Sequence, residues 1–166
     1  FPFPDFATLT ASQYRSFLAA FPIPAPQDEA LESTEDGILE GADGPLKMRL
    51  YRPTGAGPLA LTVYFHGGGF VSCGLDTHDN ICSRLAAQTG SLVVSVDYRL
   101  APEHPFPAGV NDAVAAVRWL HAHAVQLGVD GARIAVAGDS AGATLAAVVA
   151  QQLQGTEIAI CHQLLL

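Results

Sequence analysis

Ser140 stands in the pentapeptide Gly138-Asp139-Ser140-Ala141-Gly142, between the strand-like RIAVAGD at 133–139 and the helix-like AGATLAAVVAQQLQ at 141–154. A serine on a sharp strand-to-helix turn has its hydroxyl held clear of the sheet, and small neighbours are needed because side chains there would clash. The competing reading is a serine N-cap on that helix; the glycines and the preceding strand favour a nucleophile. A second segment, Phe65-His66-Gly67-Gly68-Gly69-Phe70, closes the apolar run LALTVYF at 59–65. Consecutive glycines cost entropy on folding, so the bare backbone must serve something. Serine attack on an acyl carbon develops negative charge on the carbonyl oxygen, and each backbone N–H aimed at that oxygen stabilises it by about 3 kcal/mol. Gly68 and Gly69 are the expected donors, with Ala141 as a third at a helix N-terminus of favourable dipole. A merely flexible glycine loop would stand in no relation to a serine elsewhere.

These residues need elements to hold them. The first segment is rich in Pro and aromatics, with a short helical pattern at 10–21 ended by PIPAP at 22–26. Two extended runs around Ala42-Asp43-Gly44-Pro45 predict a hairpin. Strand and helix then alternate: strand at 59–65, helix at 77–90, strand at 91–98, helix at 111–128, strand at 133–139, helix at 141–154, and a last apolar run, IAICHQLLL. Apolar strands separated by helices predict an α/β fold, a mostly parallel, doubly wound sheet covered on both faces.

Composition excludes several function classes. At 166 residues and 49% hydrophobic content, the chain is long enough for one domain with a real core. Its 8 basic and 16 acidic residues give a formal charge of −8, the wrong sign for a nucleic-acid partner. Cys73, Cys82 and Cys161 lack C-x-x-C spacing and are read as free thiols in a reducing compartment, hence a cytoplasmic protein. No run approaches a membrane span, and FPFPDFATLT lacks the features of a signal peptide, although a chain starting at Phe1 has no initiator Met. No dinucleotide fingerprint, P-loop lysine or metal-spaced ligand cluster is present, so neither a cofactor nor a metal is expected.

Three strings stand in order: HGGGF at 66–70, DYRLAPEHPFPA at 97–108 and GDSAG at 138–142. With them the chain resembles the hormone-sensitive lipase family of α/β-hydrolases, its bacterial carboxylesterases in particular. The resemblance implies the α/β-hydrolase fold and hydrolysis of short-to-medium acyl esters, a small-molecule substrate class. It implies that Asp97, Arg99 and Glu103 shape a loop beside the active site, where their charges are read as a structural hydrogen-bonded network. His66 resembles a residue that orients the glycine loop and does not carry protons. The Pro-rich segment matches the place of a cap, which implies substrate selection by residues 1–35 and the N-terminal part of a catalytic domain at 36–166. Homo-oligomers are compatible with the family.

The chain also departs from the pattern. A triad on this fold runs Ser, then Asp or Glu, then His, on loops after later strands. After Ser140 only Glu157 and His162 remain, both in or beside the next apolar strand, and neither fits. His162 reads as a strand residue packed by its neighbours. His121 and His123, at a helix end, read as a solvated face, and their spacing argues against a shared metal. The terminal Leu164-Leu165-Leu166 reads as a break before the last strands, so the triad acid and base are expected outside this chain. Two functions stay open: an ester hydrolase working through an acyl-enzyme on Ser140, and a non-catalytic small-molecule-binding module or inactive fragment on the same scaffold.

Overall fold

Side chains alternate across a strand, and LALTVYF and LVVSV carry apolar or neutral groups at every position, so both faces of these runs seek cover. The computed structural model describes residue 5 and residues 8–20 and 31–166, and it provides that cover. Its six strands are β1 (Leu31–Gly41), β2 (Gly44–Pro53), β3 (Leu59–Phe65), β4 (Leu92–Val96), β5 (Val129–Gly138) and β6 (Ile160–Leu165), in spatial order β1-β2-β4-β3-β5-β6. The expected hairpin is β1–β2, and β2 is antiparallel to β4. From β4 onward all pairings are parallel. Between successive strands from β3 to β6 the chain crosses through helices α2 (Asp79–Thr89), α3 (Ala108–Ala122) and α4 (Ala141–Gln152), the second of these carrying it past β3 from β4 to β5.

The two faces bury different chemistry. On one, Leu61, Val63 and Phe65 of β3, with Val94 of β4 and Val136 of β5, pack against Val117 and Leu120 of α3 and Leu145 and Val149 of α4. On the other, Tyr51, Tyr64, Val93 and Ala137 meet Cys82 and Ala86 of α2. Thr62 and Ser91, both buried, hydrogen-bond each other at 2.9 Å, so these hydroxyls stay paired.

Element boundaries shift in ways that have local causes. The helix expected at 111–128 begins at Ala108 and stops at Ala122. His123 ends it: its ring stacks on Trp119 at 3.9 Å and its Nδ1 donates to the Trp119 carbonyl at 2.8 Å. This pair is half-buried, so His123 is a stop signal with its own packing and not part of a solvated face. β1 starts at Leu31, and Thr34 and Glu35 already pair with Tyr51 and Leu50. Near the start of the chain, α1 (Ala11–Ala19) is opened by a capping box in which Thr10 Oγ1 accepts from Gln13 N–H and Gln13 Oε1 accepts from Thr10 N–H. No helix among the described residues is long and apolar enough to cross a membrane.

Because β3, β4 and β5 are parallel, their carboxyl ends share one edge of the sheet. The glycine loop, the DYRLAPEHPFPA loop and the turn at Ser140 therefore meet there, the edge at which open α/β sheets place their sites.

Candidate active site

β5 ends at Gly138 and α4 begins at Ala141, which leaves Asp139 and Ser140 to make the turn. Ser140 holds φ 51° and ψ −115°, a strained conformation for a residue with a side chain, and it is exposed. The turn is this tight because α4 presses on the end of β3: a Cβ on Gly142 would overlap the Phe65 carbonyl oxygen. Gly142 N–H donates to the Asp139 carbonyl at 2.8 Å and closes the turn.

The glycine loop is held peptide by peptide. His66, fully buried, donates from Nδ1 to the Gly67 carbonyl at 2.8 Å, and a carbonyl can only accept, so the proton sits on Nδ1. A trans peptide points its C=O and N–H in opposite directions, so this bond aims the Gly68 N–H the other way. The Gly68 carbonyl is held in turn by the N–H groups of Val71 and Ser72, each at 3.1 Å, which aims the Gly69 N–H. Gly68 and Gly69 take φ values of 111° and 63°, and the space beside Gly69 is open. Burial pushes the His66 imidazole down to about 4, against the pull of the Gly67 carbonyl, and its Nε2 has no hydrogen-bond partner among the described residues. The Nδ1 bond ties the ring to the first peptide of the glycine loop.

Asp139 ties the glycine loop to the serine turn. Its Oδ1 accepts from Gly67 N–H at 2.9 Å and Tyr64 OH at 2.8 Å, and lies 3.1 Å from His78 Nε2. Burial would raise this carboxyl, but the Tyr64 hydroxyl, His78 and the Gly67 N–H outweigh it and hold the group below the usual carboxylate range. Nothing in the spacing of the sequence singled out Asp139 or His78. The signal available was a charged residue immediately before the serine.

The DYRLAPEHPFPA loop braces the other side. Tyr98 stacks on His66 at 4.4 Å and donates to the His66 carbonyl at 2.6 Å, while Ala101 N–H donates to the Phe70 carbonyl at 2.9 Å. Arg99 reaches the buried Asp112 through its backbone N–H, Nε and Nη2, and Asp43 through Nη1. Glu103 forms a two-pronged pair with Arg15 of α1, whose Nε and Nη2 also donate to the Val71 and Ala101 carbonyls. The network reading therefore describes Arg99 and Glu103. Asp97 differs: its backbone N–H donates to the Lys47 carbonyl, and burial raises its carboxyl. Tyr98, Asp112 and Arg15 were not anticipated.

The remaining acids and histidines lie elsewhere. His162 pairs with Ala135 in the middle of β6, three positions short of Gly138, or roughly 10 Å along the strand at ~3.3 Å per residue. It is exposed on the strand, not packed by its neighbours as the sequence suggested. Glu157 precedes β6, at the opposite edge of the sheet from Ser140, and His104 is exposed. No group of three or more metal-ligating side chains exists among the described residues.

Residues 62–166 match the family described as alpha/beta hydrolase fold. The esterase LipI of Mycobacterium tuberculosis is 53% identical over 120 residues, 70% of this chain and 38% of that protein. The carboxylesterase NlhH of the same organism is 52% identical over 114 residues, 67% of this chain and 36% of that protein. The chain thus spans under two fifths of the length of these relatives. Among solved structures, EstE1, a thermostable carboxylesterase from a metagenomic library, superposes with a TM-score of 0.87 at 41% identity, over 96% of this chain and 55% of that one.

Proposed function

The chain belongs to the alpha/beta hydrolase fold family, and on that premise we propose that the protein is a serine carboxylic-ester hydrolase acting on short-to-medium acyl esters through an acyl-enzyme on Ser140. The observation that carries this reading is the strained, exposed Ser140 turn, joined through Asp139 to a glycine loop whose peptides are individually aimed. Ser140 Oγ attacks the ester carbonyl as its proton passes to a base. The N–H groups of Gly68, Gly69 and Ala141 receive the developing oxyanion, the alcohol leaves with a proton, and water then hydrolyses the acyl-enzyme. His66 is the positioning residue of that loop. The base and its acid come from outside these residues, since Glu157 and His162 lie away from Ser140. The cap expected over residues 1–35, of which 1–4, 6–7 and 21–30 lie outside the described residues, selects substrate from the segment before Leu31, because 31–35 already belong to β1 of the catalytic sheet that continues to 166.

Ser140 should be the residue that an organophosphonate probe labels in the complete protein, and Ser140→Ala should abolish labelling and lower p-nitrophenyl butyrate turnover by about 10⁴-fold or more. Labelling that survives the substitution sinks the assignment. The second reading, a binding module, is favoured by the placement of His162. It predicts no labelling of the wild-type protein, because an unactivated serine does not react.

A further inference from the structure

Ser72 follows the HGGGF string, and its side chain was not singled out by any motif. It is fully buried, and its Oγ donates to the Gly68 carbonyl at 2.9 Å, the shortest of the three bonds to that oxygen. The other neighbour given by the geometry is Cys73 Sγ, at 3.9 Å. We propose that Ser72 is a positioning residue of the hydrolysis, its hydroxyl locking and polarising the Gly68–Gly69 peptide whose N–H receives the oxyanion. This inference rests on the ester-hydrolase reading above.

The argument is one of backbone freedom. Gly68 and Gly69 flank a peptide that can rotate with little steric resistance, and a rotated peptide would present its carbonyl, the wrong end of the dipole, to the oxyanion. The turn supplies two N–H bonds from nearby residues to that oxygen, each at 3.1 Å, both made by backbone of the same turn. The hydroxyl adds a restraint from a buried side chain that cannot wander. Donation to the Gly68 carbonyl also draws electron density from the Gly69 N–H, which makes that N–H a stronger donor where charge develops. A purely structural serine would affect folding alone; a positioning serine affects the transition state.

The test uses the complete protein with p-nitrophenyl butyrate and compares Ser72→Ala with the equal-shape pair Ser72→Thr and Ser72→Val, following kcat, KM and melting temperature. The hydroxyl-less Ala and Val variants are expected to lose about tenfold in kcat with KM within twofold. Thr, carrying the same added methyl as Val, should recover most of that loss. Equal kcat for Thr and Val, or an Ala variant within twofold of wild type, overturns the inference, as does a loss confined to KM. If the methyl unfolds both β-branched variants, the Ala variant decides. A wild-type protein without Ser140-dependent turnover overturns the parent reading and this inference together, whereas active wild type with unaffected variants overturns this inference alone.

Discussion

His66 shows how one buried side chain turns pH into stability. Its folded-state imidazole sits at about 4, below the ordinary value of 6.5, so between these limits the unfolded chain binds more protons than the folded one. Stability should therefore be fully present above about pH 6.5 and be lost as pH falls toward 4, by on the order of 3 kcal/mol for a shift of this size. Urea unfolding of the complete protein across this window, compared with His66→Asn, measures it. The wild-type midpoint should fall more steeply than the variant's; parallel curves would show that the ring is not held neutral by burial.

At the scale of elements, Arg15 ties α1 to the loops around the site. Arg15 donates to carbonyls in two separate loops, at Val71 and Ala101, and pairs with Glu103. The Glu103 carboxylate is half exposed, so solvent screens that ion pair and it contributes little. The carbonyl bonds matter more, because they join α1 to the segment that follows the glycine loop. Arg15→Met should expose α1 to proteolysis and reduce kcat/KM by about tenfold, whereas Glu103→Gln, which leaves both carbonyl bonds, should change kcat/KM by less than threefold. Equal effects from the two substitutions would assign the fastening to the ion pair. Limited proteolysis and steady-state kinetics on the two variants decide it.

On the scale of the whole molecule, cover is uneven. β3 and β4 are buried on both faces, but Cys161, His162 and Gln163 of β6 are exposed, and Leu165 and Leu166 are 50% and 60% exposed. An open strand edge templates pairing with other chains. Residues 1–166 expressed by themselves should therefore bind a hydrophobic dye, self-associate on gel filtration and hydrolyse p-nitrophenyl butyrate no faster than background. A monomer that unfolds cooperatively and shows Ser140-dependent turnover would overturn this and return His162 to consideration as the base.

The serine turn was legible in the sequence because strand, turn and helix are contiguous there, so Gly138, Ser140 and Gly142 reveal their geometry by spacing alone. The same holds for the β1–β2 hairpin and for the alternation of strands and helices, which hydrophobic period reports locally. The reading of His66 as a loop-orienting residue came from family resemblance, whereas its bond to the next residue's carbonyl became visible only in the structure. Partners distant in the chain were beyond the reach of spacing: Asp139 meets Gly67 across 72 positions, and Arg15 meets Val71 across 56. Periodicity can say that a residue is buried or that a backbone is bare, since both depend on near neighbours. Which hydroxyl, carboxylate or guanidinium completes the hydrogen bonds of that backbone depends on the order in which strands assemble, and only the folded sheet decides it.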